Sequence, residues 1–391
     1  AAEWGHPSDN LGALLACADY ISRRRLLARG AEPLLVRELL TALVKAYEIQ
    51  GVLALTNSFN EIGIDHVILV RIASAALATA LLGGGKAEVM NAVSQALVDG
   101  GNLRAYRHAP DAGPRKSWAA GDATARGVRL ALLTLAGEPG YPHALSAPRY
   151  GFQAALLRGK HLDLARALSS YVVEHILFTG AYPGECHAQS AAEAAIKLHP
   201  DVKDRLADIG KIVLATQKPA LRIIDKQGRL ANPADRDHCL QYVAAIGLLF
   251  GELHYRHFEE QIAADTRIDA LRARMEVIED PCYTRDYYDP EQRMVANRVT
   301  VYFQDGAQTE SAVEFPLGHP RRRLEAMPLL REKFKRNIHE ILTPAKSNEI
   351  IGLFEDDDRL QRLSVNDFMQ LWIPRQARKV ATASHSASRR P

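Results

Sequence analysis

The chain has 391 residues and sets 49 Lys or Arg against 46 Asp or Glu, a formal charge of +3. So small a balance excludes any argument from charge alone for nucleic acid or a membrane surface. With 47% hydrophobic and 24% charged residues it reads as a globular chain, long enough for two domains and a sizeable core. No apolar run reads as the roughly 20 residues that span a bilayer, and no signal-peptide pattern stands at Ala1. Cys17, Cys186, Cys239 and Cys282 lie far apart, with no CxxC. That spacing argues against a disulfide scaffold, a structural zinc site or a cysteine-held iron cluster.

From Asn10 to Ala136 the pattern is helical throughout. Leu11, Leu14, Leu15 and Ala18 form one stripe, with Asp9 or Ser8 as N-cap. Leu35, Leu39, Leu43, Val44 and Tyr47 form a second at spacings of three and four. An alanine-rich helix runs from Val67 to Leu82, a fourth carries Val89 to Leu97, and Trp118 to Leu135 makes a fifth. Gly/Pro-rich sequence from Gly137 to Gly159 reads as loop, and Leu162–Leu177 as another helix or helix pair.

Beyond Gly180 the character changes. Helices are expected at His187–Leu198 and Asp237–Phe250, the latter opened by Pro233 and Asp235. Lys211–Thr216, Leu221–Ile224, Arg298–Phe303 and Ser311–Phe315 alternate as strands, the last two joined by a hairpin turn at Gln304–Ala307. Helical spacing returns at Met327, and the Ala/Ser-rich basic tail from Gln376 reads as disordered. The fold class is therefore mainly α. A discontinuous all-α helical bundle (1–177 and 324–374) carries an inserted smaller α+β domain (178–323), with a disordered tail at 375–391.

The chemistry is densest in Gly101–Gly127, GNLRAYRHAPDAGPRKSWAAGDATARG. Arg104, Arg107, His108, Arg115 and Lys116 fall within 13 residues around a Pro/Asp/Gly turn. Such a set suits a small polyanion: Arg grips carboxylates with a planar fork, Lys is a point charge, and His moves a proton near neutral pH. A solvated basic loop explains the same composition. His6 (GHPSDN) and His66 (GIDH) both stand at expected helix starts, where a capping or core histidine is the ordinary reading. Asp122 pairs with Arg126 four residues on. Arg321 and Arg322, beside His319 in GHPRRR, form a second basic cluster. Gly83–Lys86 fails the phosphate-loop spacing, and Arg23–Arg25 read as solvated.

YRHAP followed by RKSWAAGDATARGVRLAL resembles the signature of 2-methylcitrate dehydratases in the MmgE/PrpD family. The likeness continues in GHPSDNLGALLA, EIQGVLALTNSFNEIGIDHVILVRIAS, NPADRDHCLQYVAAIGLLFG and GHPRRR, covering about residues 3 to 374. It implies a helical domain with an inserted α+β lid. It also implies dehydration of a tricarboxylate by side chains, with no metal or other cofactor, in a homodimer that binds neither nucleic acid nor membrane. The compartment it implies is the cytoplasm in a bacterium or the mitochondrial matrix in a eukaryote. His6, His66, Lys116 and His108 are the catalytic candidates it points to; Arg104, Arg107, Arg115, Arg321 and Arg322 would bind carboxylates.

The base would be His66 or Lys116 and the acid His6 or His108. The family pattern also extends ahead of Ala1 with helices and an Asp/Thr patch, and places a lysine where Thr179 stands. Those departures keep alternatives open: cis-aconitate decarboxylation or epimerisation on the same fold, or a catalytically impaired binding homologue. A nucleic-acid-binding helical protein is the weakest rival, because it would need its basic residues to face one open surface.

Overall fold

The computed structural model describes residues 2–28, 31–107, 113–164, 166–177 and 180–373. It divides into a first unit, Ala1–His175 with Phe334–Pro391, and a second, Ile176–Lys333.

The first unit is built on α1 (Leu11–Leu27), α2 (Val36–Thr56), α3 (Val67–Leu81), α4 (Lys86–Val98) and α5 (Arg115–Leu135). Every residue of α3 from Val67 to Thr79 is buried, and α1, α2, α4 and α5 all pack on it. A helix apolar on all sides has to be a core helix. Its small residues let α5 approach closely: a Cβ added at Gly127 would lie 2.8 Å from Ser74 Cβ and 3.0 Å from the Arg71 carbonyl oxygen. Gly127→Ala should therefore overpack this crossing and destabilise the protein by about 1–3 kcal/mol, read as a lower urea midpoint.

Contrary to the sequence reading, one helix among the described residues is long and apolar enough to cross a membrane. This is α2, 21 residues with a mean hydropathy of 1.3 over its most apolar window. Its charged residues interrupt the run to the eye without lowering the average enough. It packs against α1 and α3, and core helices commonly pass the same test.

The expected helix over Leu162–Leu177 is only a turn, Tyr171–Glu174. The buried Glu48 carboxylate of α2 explains why. It accepts from Ser169 N at 3.0 Å and Val172 N at 2.8 Å, tying this loop down without a longer helix. The cap of α1 is Asn10, after a 3-10 turn at Pro7–Asn10, rather than Ser8 or Asp9.

The second unit holds α6 (Gln189–Val202), β1 (Ile209–Thr216), α7 (Leu240–Phe250), β2 (Met275–Glu279), β3 (Asn297–Phe303) and β4 (Gln308–Val313). Strand order is β2-β1-β3-β4. β1 pairs parallel with β2 (Ile212 opposite Met275) and antiparallel with β3 (Leu214 opposite Val299). α6 packs on α7, β3 and β4. β3 and β4 form the expected hairpin, with Gly306 at φ 86°.

Two strand expectations fail. Leu221–Ile224 belongs to a short helix, Lys218–Ile224, started by Pro219; the buried Ala220 and Ile224 are four residues apart, a helical spacing, and Ile223 faces out. β2 was missed because only Met275 of its five residues is buried, which leaves no alternation to read. Pro233 and Asp235 open a separate turn, Pro233–Arg236, ahead of α7.

The chain returns to the first unit inside α8 (Arg323–His339), between Lys333 and Phe334 rather than at residue 323, and continues through α9 (Pro344–Phe354) and α10 (Val365–Leu371). There Val36 N donates to Leu363 O and Val365 N to Leu34 O, both at 2.8 Å, so the first and last parts of the unit are stitched by backbone. The tail expected to be disordered falls outside the described residues.

Candidate active site

Two local structures set the site in the first unit. Gly63 adopts φ 78°, a left-handed turn that a side chain would strain. It lets Gly63 O accept from Arg104 N at 3.0 Å while Asp65 N donates to Asn102 O at 2.7 Å. This pairing brings Arg104 and Arg107 against Asp65 and His66 at the start of α3. The second is the turn Pro7–Asn10, with His6 as its N-cap. Asn10 Nδ2 donates to Pro7 O at 3.0 Å and to Gln50 Oε1 at 2.8 Å, and Asn10 Oδ1 accepts from Ser74 Oγ at 2.7 Å. That buried chain fixes the turn to α2 and α3.

The two imidazoles stand edge to face, 6.1 Å between centroids. His66 Nδ1 lies 3.5 Å from Arg104 Nη1 and 3.4 Å from Asp65 Oδ1. Arg107 donates through Nε and Nη2 to both oxygens of Asp65, which also receives Val67 N at 3.2 Å. Two guanidiniums lie over the Tyr106 ring, Arg107 at 5.4 Å and Arg115 at 5.3 Å. Arg115 further covers Trp118 at 4.3 Å and donates to Asp122 Oδ2 at 3.0 Å. Asp122 also pairs with Arg126, as the sequence suggested. A hollow of about 550 Å³, lined by Gly101, Asn102, Leu103, Ala105, Tyr106 and Arg115, opens beside this cluster; neither imidazole lines it.

These surroundings move protons in definite directions. Burial pushes His66 down to about 3, opposed by Asp65 and reinforced by Arg107, His6 and Arg104. Burial works to raise Asp65, but the Arg107 guanidinium and His66 outweigh it and hold the carboxyl below its usual range. Asp9 is raised by burial against the pull of His6 and Arg107. Glu3 is likewise raised by burial, its Oε2 accepting from Asn60 N at 2.7 Å. Burial and then Asp65 push the Tyr106 phenol up to about 12.

Of the sequence candidates, His6, His66, Arg104 and Arg107 form one cluster, and Arg115 joins it through Tyr106. Lys116 follows Arg115 in the first turn of α5, the helix against which Pro7–Asn10 packs. His108 and Thr179 lie outside the described residues. Arg321 and Arg322 belong to the second unit. Arg322 is held by Glu193 (2.9 and 3.0 Å) and Glu325, while Arg321 covers Phe315 and donates to Glu291 O at 2.9 Å. The pairing of Arg322 with two carboxylates gives it a structural task that a charge run in sequence does not reveal. Sequence reasoning passed over Asp65, Asp9, Glu3 and Gln50. GIDH did offer a signal, a carboxylate adjoining an imidazole at a helix start.

Among the described residues, two groups bring three metal-type donors within 4.8 Å of one another, both in the second unit: Glu185, Cys186 and His187, and Glu252, His254 and His257. In the first, Glu185 and His187 already satisfy each other at 2.7 Å, and His187 Nε2 meets the Tyr287 hydroxyl at 3.1 Å.

Comparison with known proteins identifies the family. Residues 1–165 match the MmgE/PrpD N-terminal domain and residues 182–358 the MmgE/PrpD C-terminal domain. The 2-methylcitrate dehydratase of Cupriavidus necator is 51% identical over 376 residues, 95% of this chain and 78% of the relative. That of Escherichia coli (strain K12) is 49% identical over 377 residues, with the same two shares. The mitochondrial 2-methylcitrate dehydratase of Yarrowia lipolytica is 44% identical, covering 95% of this chain and 72% of the relative. On both domain matches and on relatives this similar over nearly its whole length, the chain belongs to the MmgE/PrpD family.

Proposed function

We propose that this protein is a hydro-lyase that removes water from 2-methylcitrate to give 2-methyl-cis-aconitate, using side chains and no metal. The observation that carries this is the clustering of the exposed His6 and the buried His66 with the half-buried Arg104 and Arg107. The relatives' activity, given above, supports it. The proton beside a carboxylate is weakly acidic, so the charge that develops on its removal has to meet cations already in place.

Arg104 and Arg115 take the substrate carboxylates; Arg107, committed to Asp65, holds the start of α3. His66, neutral down to about pH 3, is too weak to be the base and acts as a hydrogen-bonding group on the developing charge. Of the two bases considered, that leaves Lys116, and His6 protonates the departing hydroxyl. The carbon-bound proton passes to the base, the C–O bond breaks, and the oxygen leaves as water.

The test follows ultraviolet absorbance of the conjugated product from 2-methylcitrate, with and without chelator. Product at equal rates in both arms is the expected result; product only with added metal, or none, overturns the reading. We also assign a homodimer, checked by light scattering, and a compartment that follows the source: cytoplasm in a bacterium, mitochondrial matrix in a eukaryote.

A further inference from the structure

The Gln50 side chain of α2 is 1% exposed, and its Nε2 has no hydrogen-bond partner. A buried donor left unpaired costs free energy and calls for a reason. Its orientation is not free. Pro7 O can only accept, so Asn10 must point its Nδ2 that way; the same Nδ2 donates to Gln50 Oε1, so the Gln50 amide turns its N–H groups the other way. The side chains of Asn10, Gln50 and Ser74 are all buried, and the direction is enforced from the Pro7 carbonyl outwards.

The N–H groups are turned towards His66 and Gly5. A Cβ added at Gly5 would lie 3.1 Å from Gln50 Nε2 and 3.5 Å from His66 Cδ2. Glycine there, just before His6, leaves a wedge between the amide and the imidazole that any other residue would fill. Arg104 stands on the same imidazole, and the carboxylate Oε1 of Glu3 nearby is also buried without a partner.

We propose that Gln50 is a substrate-binding residue: its carboxamide N–H groups donate to an oxygen of the bound acid, a carboxylate or the departing hydroxyl, in the wedge beside His66. The inference rests on the dehydratase reading for the identity of the acid. The partner of this donor would be the acid itself, reached once Gly5 and His6, whose backbone lies against the amide, move aside.

The deciding variant is Gln50→Glu. It keeps the shape and the acceptor for Asn10 but replaces the donor with a carboxylate. Turnover of 2-methylcitrate at neutral pH should fall by about 100-fold or more, the scale of losing one such donor. It should recover as the pH is lowered and the new carboxyl gains a proton it can donate. A purely structural role would show a loss without that recovery.

Gln50→Ala serves as the second variant, with calorimetric binding of 2-methylcitrate measured beside turnover and thermal midpoint. A folded Gln50→Ala that binds at least tenfold more weakly supports the proposal. Gln50→Glu as active as wild type at neutral pH overturns it, as does a loss that tracks the melting temperature and ignores pH. Wild type that binds the acid without turning it over, while Gln50→Ala does not bind, sinks the dehydratase reading and keeps the site. Wild type that does neither sinks both.

Discussion

Asp65→Ala should destabilise the protein by about 3–5 kcal/mol, the usual consequence of removing one partner of a buried ion pair. Asp65 has no exposed surface, and Arg107 opposite it is largely covered, so solvent does little to screen the loss. The carboxylate also caps α3 through Val67 N, and losing such a cap contributes about 1 kcal/mol of that total. Chemical unfolding should show the lower midpoint directly. Turnover measured well below the new midpoint should fall further than the unfolded fraction explains, because Arg107 and His66 both lose the group that orients them. Asp65→Asn retains the cap and shape but not the charge, and should recover part of the stability and little of the activity. Variants that unfold like wild type would show that the ion pair contributes nothing net.

A second large effect concerns acid. The imidazole of His66 takes a proton near its ordinary 6.5 in the unfolded chain but only near 3 in the folded one. Between those values the unfolded state holds the extra proton, so stability falls as the pH falls, by about 1.4 kcal/mol per unit. From pH 6.5 to pH 5 the loss from this one group is about 2 kcal/mol. Glu3 and Asp9, whose carboxyls burial raises, act in the opposite sense above their ordinary carboxylate values. The clean measurement is therefore a difference: the pH slope of unfolding free energy for wild type minus that for His66→Gln. A difference of zero would mean that the folded imidazole titrates normally. It would also reopen His66 as the base.

Much of this architecture was legible in the residues. The alanine-rich run after His66 announced a core helix, the Asp305-Gly306 turn announced its hairpin, and helical spacing after Met327 announced the return to the bundle. What failed was local. β2 hides because one buried residue makes no pattern, and Lys218–Ile224 is helical because Pro219 starts a turn that apolar alternation does not encode. In the site, the histidines and arginines stood out as residue types. The pairings did not, because they join residues remote in sequence: Arg107 to Asp65 across 42 positions and Arg322 to Glu193 across 129. Gln50 was invisible for a related reason: its significance lies in a missing partner, and only coordinates show which donors are left over.

The stitch between Leu34–Val36 and Leu363–Val365 bears on biosynthesis. The second unit is one uninterrupted stretch and can finish folding while translation is still under way. The first cannot: its early helices emerge with α2 still unshielded on the side α10 will cover, and wait until Leu363–Val365 have been made. At about 5–20 residues per second that interval lasts tens of seconds. Nascent chains stalled before residue 363 should accordingly remain protease-sensitive across α1 to α5, however long they are held.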